Sequence, residues 1–84
     1  MESDRDRAIR LAQVLFRERQ AQGIDMSAGP CLAEEIIPGW CVDVAHSPRE
    51  EIDNLPQNQC ASWRAGRVHH FVELDAEGNV IRAV

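Results

Sequence analysis

Apolar side chains recur at helical spacing near the start of the chain. Ala8, Ile9, Ala12, Leu15 and Phe16 fall on one stripe, and Leu11 and Val14 widen it. Ser3 ahead of Asp4, Arg5 and Asp6 resembles a capped start, and Gly23 after Gln22 is a natural stop. The spacing predicts one long N-terminal helix that packs its stripe on a sheet or, the stripe being broad, on a second copy. Ile24 to Gly29 reads as a loop. Gly29-Pro30-Cys31-Leu32-Ala33-Glu34-Glu35-Ile36-Ile37 then predicts a helix of about two turns, with Pro30 at the first helical position and Pro38-Gly39 as its stop.

Further on the period changes from helical to twofold. Trp40, Val42 and Val44 alternate with Cys41, Asp43 and Ala45, which predicts a strand. Ser47-Pro48-Arg49-Glu50 has the form of a capping box opening a short helix that ends by Leu55, ahead of Pro56. Asn58 is placed to cap a brief turn through Arg64, with Gly66 as its exit. Arg67 to Asp75 is the clearest strand, with Val68, His70, Val72 and Leu74 on one face and His69, Phe71 and Glu73 on the other. Ala76-Glu77-Gly78-Asn79 turns it into a partner strand, Val80 to Val84, with Leu74 opposite Val80 and His70 near Val84. The fold class expected is α+β, a single domain over 1–84. It has a small three-stranded, mostly antiparallel sheet, the long helix on one face, and short helical segments.

Size and charge narrow the function classes. A chain of 84 residues buries only about 60–65% of its unfolded surface, so its core is modest and a protein partner or self-association would help it. No run of about 18 apolar residues is present, which argues against a membrane span. The charged start, Met1-Glu2-Ser3-Asp4-Arg5, has no apolar signal core, and the expected location is cytoplasmic. Three cysteines, Cys31, Cys41 and Cys60, are an odd number, which in that setting predicts reduced thiols. A net charge of −5 argues against nucleic acid as a partner. The charge is uneven: residues 1–22 hold five arginines against four acids, and the remainder four against ten.

Candidate chemistry centres on Cys31 and His70. A cysteine in the first turn of a helix gains thiolate character from the unpaired N–H groups and the dipole. A histidine on the covered face of a strand could serve it as base, so Cys31 as nucleophile and His70 as base are the candidate catalytic pair. This layout is similar, at those two positions, to papain-like cysteine hydrolases. The orienting acid would have to be Asp43, Asp53 or the C-terminal carboxylate, because no acid stands opposite His70. The cysteines and histidines contain no C-x-x-C or H-x-x-x-H spacing, so no metal and no cofactor are expected. Trp40, His46, Trp63 and His69 flank or fill the loop-rich region and its exit, and are the candidate binding residues. Glu34-Glu35 reads as a solvated helix face. The function expected is a protein- or ligand-binding module acting as a dimer or in a complex; the alternative is a minimal cysteine-dependent hydrolase.

Overall fold

The computed structural model describes every residue from Met1 to Val84. The long helix forms as expected: α1 spans Asp4–Ala21, and the Ser3 side chain accepts from the Asp6 N–H at its start. Ala8, Ala12 and Phe16 are its buried residues, and the two alanines let the backbone approach the sheet closely. Ile9, Leu11 and Leu15 pack at the margins of the same core. The broad stripe is thus used within the chain, and Val14 is the large apolar side chain of α1 left exposed.

The sheet corrects the expectation of three mostly antiparallel strands. It has four strands in the order β1-β2-β3-β4, comprising Cys31–Ile37, Trp40–Val44, His70–Leu74 and Val80–Ala83. β1 pairs antiparallel with β2 and β3 with β4, but the central pair β2 and β3 is parallel, so the sheet is mixed. A parallel pair needs a crossover, which residues 45–69 supply. That crossover holds 3-10 turns at Glu51–Asn54 and Pro56–Asn58 and a short helix, α2, at Ala61–Arg64.

The segment expected to be the Cys31 helix is β1. Ile37 and Trp40 pair across Pro38-Gly39, with Gly39 at a positive φ of 86°, which is a two-residue hairpin turn. The register shifts between Cys31 and Ala33, so Leu32 and Ala33 both pack on the core beneath α1 and strict alternation fails. Ser47 does not cap the next turn either. Ser47-Pro48 is a cis peptide, and the turn is opened by Glu50, whose N–H donates to the carboxylate of Asp53 at 2.9 Å.

Alternation in β2 and β3 divides the interior. Val42, Val44, Val72 and Leu74 lie under α1 with Phe16, Met26 and Trp40. Cys41 and Phe71 point to the other face, where Cys60 and Val68 of the crossover cover them. Gly29 and Gly78 hold the loops to this frame. At Gly29, φ is 68° and a Cβ would stand 2.7 Å from the Asp53 carboxylate; at Gly78, one would stand 2.8 Å from the Phe16 ring. The chain ends are also tied, because the Arg5 guanidinium on α1 donates to the Ala83 carbonyl on β4 at 3.2 Å.

Candidate functional site

On the face away from α1, one row of side chains crosses all four strands. Cys31 of β1 pairs with Asp43 of β2, Asp43 with Glu73 of β3, and Glu73 with Arg82 of β4. Arg82 reaches this face through a bulge. Leu74 faces Val80 but Glu73 faces Arg82, so one residue of β4 is extra, and Ala83 rather than Arg82 packs on the α1 side. The same slip sets Val84 opposite Phe71, with mutual backbone hydrogen bonds of 3.0 and 3.1 Å, and not near His70 as expected.

Beside the row a cavity of about 150 Å³ opens between the sheet and the crossover. Cys41, Asp43, Phe71, Glu73 and Arg82 form its floor, and Arg49, Gln59, Cys60 and Trp63 its walls. Trp63 is 43% exposed and meets the Phe71 ring edge-on at 5.0 Å between centroids. The Arg82 guanidinium lies over the same ring, 5.1 Å from its centroid. Glu73 is buried but paired: Arg49 donates to it at 2.7 Å and Arg82 stands 3.5 Å from its other oxygen.

Asp43 has no such partner. One of its carboxylate oxygens, Oδ1, is shut from solvent without any hydrogen bond. Burial, with Glu73 alongside it and Asp53 beyond, pushes the Asp43 carboxyl up to about 6, although Arg49 and Arg82 pull the other way. Cys41 is a buried thiol pushed up to about 12 by burial first and the nearby Asp43 second. It is a poor nucleophile at neutral pH.

The residues expected to form a catalytic pair are not brought together. Cys31 is bonded to Cys60 in a disulfide, which corrects the expectation of reduced thiols and leaves no Cys31 thiol to be activated. It packs on the Cys41 and Phe71 face, whereas alternation puts His70 on the opposite face, exposed and stacked on Trp40 at 4.7 Å. Among the candidate binding residues, Trp63 lines the cavity. Trp40 is buried in the core beneath α1, and His69 is exposed away from the cavity. His46 is half-buried, with its Nδ1 3.0 Å from Asp53.

Asp53, expected as a candidate orienting acid, and Glu34, expected on a solvated helix face, both hold the crossover in place instead. Asp53 accepts from the backbone N–H groups of His46 and Glu50, both at 2.9 Å. Burial opposes its charge, but those donors and the His46 ring outweigh it and hold the Asp53 carboxyl below its usual range. Glu34 reaches from β1 to α2, accepting from Ser62 N at 2.8 Å and Ala61 N at 3.3 Å. Cys60, the residue before α2, offers no side-chain cap, so Glu34 supplies one across the chain. The Ser62 hydroxyl in turn donates to the Glu34 carbonyl at 2.6 Å. Glu34 also stands with Cys31 and Cys60 in a group whose sulfur and oxygen atoms lie within 4.8 Å of one another.

Arg49, Glu73 and Arg82 line the site without having been singled out from the sequence, and Asp43 lines it in a role other than the orienting acid expected of it. Asp43 carries one usable signal, an acid on the same strand face as Cys41 and Ala45. No helix is long and apolar enough to cross a membrane. Neither a protein-family model, nor a curated protein, nor a solved structure is similar to this chain.

Proposed function

We propose that this chain is a binding module for a small nitrogen-bearing organic molecule, held in the cavity between the sheet and its crossover. The observation that carries this reading is the Asp43 carboxylate, which lines the cavity while its Oδ1 has no hydrogen-bond partner. A buried polar atom without a partner costs about 1–3 kcal/mol, and more when charged, so a chain that retains one gains something by it. An N–H donor in the cavity would satisfy Asp43, and a positively charged donor would also balance its charge. Glu73 is the weaker competitor for that donor, because Arg49 and Arg82 already stand against its charge. Phe71 and Trp63 offer an aromatic surface to the apolar part of such a ligand. A space of about 150 Å³ suits a molecule of roughly benzene size, since an engineered cavity of about that volume binds benzene.

Benzamidine, a planar cation with paired N–H groups, is a suitable first probe. An NMR titration of backbone amides is expected to shift residues around Asp43, Phe71 and Glu73 saturably, and Asp43→Asn is expected to weaken the response about tenfold. A panel of small amines and amidines that moves none of these amides would overturn the reading. So would equal binding by the Asp43→Asn variant.

A further inference from the structure

The disulfide stands in the one place where the chain also gathers a carboxylate against its sulfurs. We infer that the reduced chain holds a zinc ion on Cys31, Glu34 and Cys60. The three ligand atoms come from β1 and from the residue that opens α2, and they already lie within 4.8 Å of one another. This site does not depend on the ligand proposed for the cavity.

Geometry supports zinc in particular. Tetrahedral zinc takes thiolate at about 2.3 Å and carboxylate oxygen at about 2.0–2.2 Å, which puts two such ligands about 3.5–3.7 Å apart. Cys31 Sγ and Glu34 Oε2 are 3.7 Å apart. Two thiolates on the same ion stand about 3.8 Å apart, so the sulfurs must part once their bond is broken. Rotation about the two side chains supplies that movement over a Cα separation of 5.0 Å.

The support behind the ligands is also in place. Glu34 accepts from Ser62 N at Oε1 and, at a longer 3.3 Å, from Ala61 N at Oε2, and the two contacts hold the carboxylate with Oε2 towards the sulfurs as the metal-facing oxygen. Cys31 is half-buried and Glu34 exposed, which leaves an entry path and a fourth position for water. Asp43 stands beside Cys31 across the β1–β2 pair and adds negative charge near the ion.

The chemistry closes with a dithiol as reductant. The dithiol gives two electrons to the Cys31–Cys60 bond and leaves as its own disulfide, while two protons pass to the separated sulfurs. Zinc binding then displaces those two protons to solvent. Disulfide and metal are therefore alternative ways of joining β1 to α2, selected by the thiol balance around the protein.

Cobalt reports on such a site, because thiolate coordination gives a sulfur-to-metal charge-transfer absorption. The full chain, reduced with a dithiol and freed of excess reductant, is expected to bind one cobalt ion with that absorption, and zinc is expected to displace it. The oxidised chain is expected to show none. Cys41→Ser should leave the response intact, Cys31→Ser should abolish it, and Glu34→Gln should weaken metal binding about tenfold or more. Glu34→Gln keeps an oxygen for α2, so circular dichroism is expected to show a folded chain. A reduced chain that takes up no stoichiometric cobalt, whether folded or unfolded, overturns the inference. So does a response that survives Cys31→Ser or is lost in Cys41→Ser.

Discussion

Asp43 is the residue whose environment most opposes its own chemistry. Between about pH 4, near the value of a free carboxyl, and about pH 6, the folded chain keeps a proton on Asp43 that the unfolded chain releases. Stability at this group therefore falls as pH rises through that window. Asp43→Asn is expected to raise stability at pH 7 by something on the order of 2–3 kcal/mol, and the gain should vanish below about pH 4. Urea melts of both chains across that range check it. Asp53, Asp75 and Glu34 have lowered values and act in the opposite sense, losing their contribution as pH falls. The cysteines give a second test at this scale. Cys41 is buried and Cys31 and Cys60 are joined, so iodoacetamide should label none of them in the native chain. After unfolding without reductant it should label Cys41 alone, as mass spectrometry of the peptides would show.

At the scale of elements, the Glu34 contacts make a local prediction. Glu34→Ala leaves the first N–H groups of α2 without acceptors and is expected to cost about 1 kcal/mol, the usual loss for a helix cap. Hydrogen exchange should accelerate at Ala61 and Ser62 first, whereas Glu34→Gln should restore most of the protection. Glu34 also marks where the sequence misled. Proline before a run of Leu, Ala and two Glu looks like a helix start, but the pairing partner of this segment is the adjacent strand. Pro38-Gly39, two turn residues between apolar runs, fits a hairpin turn as well as a helix stop, and pairing with β2 decides for the hairpin. The long helix, β2 and β3 were legible because each has a clean period, and the terminal hairpin was legible from its turn residues but not in its register. The register shift in β1 hid a strand because it turns Leu32 and Ala33 to the same side. The parallel pairing was illegible for another reason: a connection of this length can return a strand in either direction.

At the scale of the whole molecule, the disulfide closes a loop across 29 positions and fastens the crossover to the outer strand. Chain entropy alone assigns such a link about 3.5 kcal/mol, a large share of the total for a domain this small. A chain carrying Cys31→Ser and Cys60→Ser should therefore melt well below the oxidised parent but close to the parent under reducing conditions without metal. A difference under about 1 kcal/mol between oxidised and reduced forms would show that the cross-link adds little. The candidate site was the least legible part at this scale. Its row, Cys31, Asp43, Glu73 and Arg82, takes one residue from each strand, and the order of strands depends on the crossover. Simple alternation from Val80 would even have put Arg82 on the wrong side of the sheet.

The hydrogen bond from Arg5 to Ala83 implies that the first turn of α1 and the last residues of β4 are neighbours in space. The order in which the elements are synthesised is then separable from the way they pack. A circular permutant can join Val84 to Met1 by a short glycine-serine linker and open the chain between Gly23 and Ile24, both exposed. It would begin with the sheet and finish with α1, and should fold to the same structure with a similar melting curve. Such a chain could be grafted into a loop of another protein through neighbouring entry and exit points, carrying its cavity with it.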